Sequence, residues 1–146
     1  MPVSDKQQII GWREWVALPE LGLPKIKAKI DTGARTSALH AFQVDNYLDH
    51  GQSMVRFSIH PQQRSTKKIK VCAAELVDNR WVIDSGGHRE RRCVIKTPII
   101  MGERCWSIEI TLTSRDDMLF RMLLGRTALQ KNFLVNASAS YLLGKN

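Results

Sequence analysis

The chain repeats one pattern, an alternation of apolar and polar residues with a period of two. In "KIKAKI" the residues Ile26, Ala28 and Ile30 fall on one side and Lys25, Lys27 and Lys29 on the other. In "VRFSIH" Val55, Phe57 and Ile59 oppose Arg56, Ser58 and His60. In "CWSIEITLT" Trp106, Ile108, Ile110 and Leu112 oppose Ser107, Glu109, Thr111 and Thr113. Successive side chains of an extended backbone point to opposite sides, so this period describes half-buried strands. "WREWVAL", "KKIKVCAAELV", "RWVID", "RCVIKTPII" and "FRMLLG" are further strand candidates, separated by the turn formers "DNR", "DSGG", "MGER" and "SRDD". Many short strands at short spacing predict a closed or sandwiched all-β domain. Only "RTALQKN", Arg126 to Asn132, reads as a helix, of one to two turns.

With 146 residues and 43% hydrophobic content the chain suffices for one domain with its own core, spanning 1–146. No apolar run approaches the roughly 20 residues that cross a bilayer, and the first ten residues lack an apolar signal core. No membrane association or secretion is expected. Cys72, Cys93 and Cys105 are odd in number and widely spaced, which suggests a reducing compartment, the cytoplasm. The net charge of +8 calls for an anionic partner: nucleic acid, an acidic peptide or a ribosomal neighbour. RNA binders interleave aromatic and basic residues, and along the sequence only Trp81 sits close to a basic cluster.

The alternation of "KIKAKI" ends abruptly at Asp31, Thr32 and Gly33, residues poor in strand interiors and good at presenting a carboxylate on a tight loop. About ninety residues later, "FRMLLGRTALQ" carries an apolar strand end into Gly125 and Arg126 and then the short helix. This ordered pair, strand with Asp-Thr-Gly-Ala and then Leu-Leu-Gly-Arg before a helix, resembles the retropepsin-like aspartic peptidases. More closely, "LPKIKAKIDTGARTSALHA" and "MLLGRTAL" resemble the bacterial and archaeal family labelled ATP-dependent zinc proteases, often associated with ATP-grasp amino-acid ligases. The resemblance runs from about Gly11 to about Leu143.

The resemblance implies an all-β acid-protease fold, a closed barrel with one short helix after the Leu-Leu-Gly-Arg motif. It implies Asp31, Thr32 and Gly33 as the catalytic loop, and Ala34, Arg35 and Thr36 beside the substrate. "WVIDSGGHRERR" has the form of a flap hairpin with Ser85, Gly86 and Gly87 at its tip, and Gly86, Gly87 and His88 are expected to touch substrate. Gly125 and Arg126 would support the loop. The chain departs from viral retropepsins in placing Arg35 where an acidic residue pairs with the Arg of the Gly-Arg motif, so the partner of Arg126 is open.

Aspartic peptidases use two carboxylates that share one proton, and this chain has one Asp-Thr-Gly. The expectation is a homodimer in which Asp31 of each subunit meets at the twofold axis. The basic residues near the loop and hairpin suit an acidic substrate. Association of the family with ligases that add glutamate to proteins points to an oligoglutamate segment, such as a ribosomal-protein tail, with an ATP-grasp ligase or a ribosomal protein as partner. His40, His50, His60 and His88 are spread singly, with no HExxH, CxxC or phosphate-binding GxxxxGK[ST] pattern. No metal or other cofactor is therefore expected. A non-catalytic basic binding module on the same fold and a zinc-dependent peptidase are the alternatives.

Overall fold

The computed structural model describes residues 7–62, 66–83, 86–114, 119–129 and 132–144. Ser85 at the expected hairpin tip, the end of the expected helix at Gln130 and Lys131, and most of the "SRDD" turn lie outside them. Eleven strands are described: β1 Gln8–Gly11, β2 Arg13–Leu18, β3 Leu23–Ile30, β4 Ser37–His40, β5 Phe42–Asp49, β6 Gln52–Ile59, β7 Lys70–Ile83, β8 Arg89–Met101, β9 Arg104–Thr113, β10 Met122–Leu124 and β11 Phe133–Asn136. One α-helix, α1, spans Arg126–Leu129. The all-β class is as the alternation predicts.

Nine strands form one sheet in the order β2-β3-β10-β4-β9-β8-β7-β6-β5, and β2 also pairs with β8 at Ala17 and Ile100. That extra pair closes six strands into a ring, from which β7, β6 and β5 continue as an open extension. The period-two faces are buried as expected. Ile26, Ala28 and Ile30 of β3 and Val55, Phe57 and Ile59 of β6 all lie in the core. Each such large aliphatic side chain contributes roughly 1.5–3 kcal/mol when removed from water. Burial places the Cys72 thiol in the same core, where desolvation pushes it up to about 11 and its hydrogen bond goes to the Leu21 carbonyl. All three cysteines are free thiols.

One local expectation is corrected and one strand is added. "DNR" is not a turn: β7 runs straight through it, absorbing the irregularity as a register shift between Leu76 and Asp78. There the Asp78 carboxylate accepts from Arg80 Nε and from the Asn79 amide, which holds its carboxyl below the ordinary carboxylate range. A bulge of this kind keeps the ladder while adding one residue, whereas a turn would end it. The added strand is β5, which alternation did not reveal. It is an edge strand with almost all of its side chains exposed, so burial imposes no period on it. His50 and Gly51 join β5 to β6 with φ of 51° and 81° at the two central residues, the conformation a tight hairpin needs.

One crossing positions the site. The chain leaves β3, makes the 31–36 loop and returns as β4, but β3 and β4 do not pair. β10 fills the gap, parallel to β3 (Leu124 opposite Ile30) and antiparallel to β4 (Met122 opposite Leu39). The Asp-Thr-Gly segment and the Gly-Arg segment, ninety residues apart, thus leave adjacent strand ends side by side.

Candidate functional site

Asp31 is tied to its neighbours mainly through its backbone. Its amide donates to the Leu124 carbonyl at 2.8 Å, and its own carbonyl accepts from the Ala34 amide at 3.1 Å, which closes a turn. The Gly33 amide donates to Asp31 Oδ1 at 3.2 Å. The carboxylate is partly exposed, Thr32, Gly33 and Arg35 are exposed, and Ala34 and Thr36 are partly buried. Strand β3 fixes the loop's stem, and Thr32 and Gly33 at its tip are exposed.

The second loop is laced to the first. The Arg126 amide donates to the Ala34 carbonyl at 2.8 Å. The Arg35 carbonyl accepts from the Thr127 amide at 3.1 Å and from its hydroxyl at 2.8 Å. Arg126 Nη1 donates to the carbonyls of Thr32 and Gly33 at 3.1 and 3.2 Å. The guanidinium therefore finds its partners in the backbone of the Asp31 loop, which resolves the departure at Arg35: a rigid fork of N–H donors can hold carbonyls where no carboxylate is offered.

Gly125 lies at the tightest point of this contact. Its amide donates to Ser37 Oγ at 3.1 Å, and a Cβ added there would stand 2.6 Å from the carbonyl carbon and oxygen of Thr36. Backbone cannot give way as a side-chain end can. Gly125→Ala is expected to destabilise the protein by about 2–4 kcal/mol, in the range of severe local strain and overpacking, and to separate the two loops. Urea unfolding measures the first effect; an alanine variant as stable as wild type contradicts the contact.

The expected flap forms a hairpin. β7 and β8 pair from Leu76 and Ile95 out to Ile83 and Arg89. Pairing of β6 with β7 ends at Glu75, and pairing of β9 with β8 begins only at Val94. Among the described residues the outer part of this hairpin is thus a two-stranded ribbon without a third strand. Gly86, Gly87 and His88 at its end are exposed. Trp81 and Ile83, exposed on one face, share the ribbon with Arg89, whose guanidinium lies 4.9 Å from the Trp81 ring.

Sequence reasoning missed a second feature. On β2 and β3, paired antiparallel, Trp15 lies opposite Lys27. Lys25 Nζ sits 4.4 Å and Lys27 Nζ 5.2 Å from the Trp15 ring centre, and the Arg13 guanidinium 4.5 Å from that of Trp12. With Phe120 and Lys68 they line a groove of about 870 Å³. Aromatic and basic residues are therefore interleaved here after all, contrary to the expectation that only Trp81 is so placed. Trp15 and the two lysines over its ring are on different strands, and no linear spacing shows their meeting.

Among the described residues no three His, Cys, Asp or Glu side chains gather as a metal site would require. His60 stacks on Phe42 and His50 bonds to Asp49. This donor arrangement does not fit the zinc named in the label of the resembling family. Among the described residues no helix is long and apolar enough to cross a membrane.

Comparison with known proteins agrees with this geometry. A probable alpha-L-glutamate ligase of Shewanella pealeana is 46% identical over 143 residues, covering 98% of this chain and 31% of the ligase. A protein of the same description from Desulfotalea psychrophila is 39% identical over 139 residues, covering 95% and 30%. The chain thus spans about a third of the length of the curated relatives it matches. Among solved structures, a Legionella pneumophila protein of unknown function superposes with a TM-score of 0.79 at 25% identity, covering 94% of this chain and 99% of that one. Residues 9–146 match the family model described as RimB-like, retropepsin-like aspartic endopeptidase RimB. With the Asp-Thr-Gly and Gly-Arg loops laced together at one strand crossing, and with that match over nearly its whole length, the chain belongs to the RimB-like family of retropepsin-like aspartic endopeptidases.

Proposed function

We propose that the protein hydrolyses peptide bonds with a pair of Asp31 carboxylates contributed by two copies of the chain. The observation that carries this reading is the fixing of Asp31 between the Leu124 carbonyl and the Arg126-clamped loop. Two carboxylates a few Å apart cannot both ionise, so one keeps a proton and polarises the scissile carbonyl while the other takes a proton from the attacking water. The roles belong to the pair. The Gly33 amide on Oδ1 holds the carboxylate's orientation, and Ala34, Arg35 and Thr36 line the approach of the substrate.

The dimer is supported by an apolar face close in sequence to α1. β1 and β11 pair in parallel, and Ile9 and Leu134, directly opposite one another, are 55% and 51% exposed. The ribbon of β7 and β8, with Gly86, Gly87 and His88 at its end, serves as the lid, and Arg35, Arg89 and Arg91 favour an acidic chain. Relatives described as glutamate ligases, in which a region like this one makes up about a third of the length, support an oligoglutamate segment as substrate, such as a modified ribosomal-protein tail, and a ligase as partner.

The dimer is tested by concentration. Sedimentation should show a monomer–dimer equilibrium, and below its dissociation constant the cleavage of a glutamate-extended peptide should rise with the square of protein concentration. A monomer that cleaves in simple proportion to its concentration sinks the shared dyad.

A further inference from the structure

Among the described residues, the groove on β2 and β3 is lined by none from the Asp31 or Gly125 loops. We propose that it is a binding site for single-stranded nucleic acid. Its chemistry has two parts. Arg13, Lys25, Lys27 and Lys68 supply four cations, and no carboxylate belongs to the described lining. Trp12 and Trp15, both partly exposed, supply flat faces beside those cations, with the buried Phe120 behind them. An acidic peptide would use the charges and leave the rings without a task. A nucleic-acid strand uses both, phosphates on the cations and bases on the rings.

The rings are braced. Tyr141 stacks on Trp15 with centroids 5.8 Å apart and planes 24° apart, and Phe120 meets Trp12 edge-on at 5.8 Å and 78°. A platform already held in place loses little entropy when a base settles on it. Lys25 is exposed, so its long side chain can yield the indole face to a base and turn its ammonium to the neighbouring phosphate. Arg13 and Trp15, like Lys25 and Lys27, are two residues apart on a strand, a separation of about 6.8 Å that successive units of an extended phosphodiester chain can match. The groove is open along one side, and its volume of about 870 Å³ leaves room for a short run of bases rather than one ion.

The test is fluorescence anisotropy with labelled ten-nucleotide oligouridylate and oligothymidylate, whose relative affinities distinguish RNA from DNA as the source of the strand. At least one should bind, with log K falling against log salt at a slope of about −2 to −3, as expected for three to four phosphate contacts to a single strand. Trp15→Ala should weaken binding roughly 5- to 150-fold, the effect of one lost stacking face, and Trp15→Phe should retain most of it. The pair Lys25→Glu with Lys27→Glu should weaken binding at least tenfold. The pair Arg56→Glu with Lys96→Glu, exposed residues outside the groove, makes the same change in net charge and should weaken it far less. Circular dichroism confirms that each variant is folded. The proposal is overturned if neither oligonucleotide binds, if the control pair loses as much as the groove pair, or if an oligoglutamate peptide occupies the groove where oligonucleotides do not.

Discussion

The Asp31→Asn variant should lose peptide cleavage by a factor on the order of 10²–10⁴, the contribution of an acid–base group at the reacting centre, while keeping its fold. The loss follows from the chemistry of the pair. An amide neither accepts the proton of the attacking water nor shares one with the opposite carboxyl, and in a homodimer the substitution removes both members at once. Retention of the fold follows from the geometry. The amide and carbonyl of Asp31, which bond to Leu124 and Ala34, are unchanged, and the Gly33 amide can donate to an asparagine Oδ1 as it does to the carboxylate. Thermal melting and sedimentation should therefore match wild type while hydrolysis of a glutamate-rich peptide disappears. Cleavage at the wild-type rate would remove Asp31 from the chemistry.

The Glu14→Ala variant should be destabilised by about 3–5 kcal/mol, because three amides lose a charged acceptor together. Glu14 is 0% exposed, with the Gly11 amide donating to Oε2 at 2.7 Å, the Leu142 amide to Oε2 at 2.9 Å and the Leu143 amide to Oε1 at 3.2 Å. It pins the 142–143 segment to the start of β2, beside the bonds from the Trp12 amide to the Ala139 carbonyl and from the Tyr141 amide to the Arg13 carbonyl. Glutamine keeps one acceptor oxygen and turns an N–H₂ group toward an amide that also donates, so Glu14→Gln should fall between alanine and wild type. Urea denaturation of the three proteins orders them; equal midpoints would mean that the carboxylate is not holding the segment.

Neither Glu14 nor the Trp15 groove stood out in the sequence, and for the same reason. In "WREWVAL" Glu14 occupies a position whose period assigns it to the buried face with Val16, and nothing local says that a carboxylate there will meet amides from residues 142 and 143. Trp12 and Trp15 precede Lys25 and Lys27 by ten or more positions, and only the register of β2 on β3 sets Lys27 against Trp15. β5 escaped notice because an exposed edge strand has no buried face to impose a period, and the bulge in β7 because Asp-Asn-Arg suits a turn as well as it suits a bulge.

What could be read directly was local. Ile26, Ala28 and Ile30 had to share a face because an extended backbone alternates its side chains, and Asp31 had to emerge where that alternation stopped. Gly125 and Arg126 could be paired with it by motif, but not by any force visible along the chain. Their contact exists because β10 enters the gap between β3 and β4, which sets the Leu124 carbonyl against the Asp31 amide and the Arg126 guanidinium against the carbonyls of Thr32 and Gly33. Strand periodicity is a property of neighbouring residues. The choice of which strand fills a gap rests on burial and hydrogen bonding among residues some ninety positions apart, and it is this choice that turns a loop carboxylate into a held one.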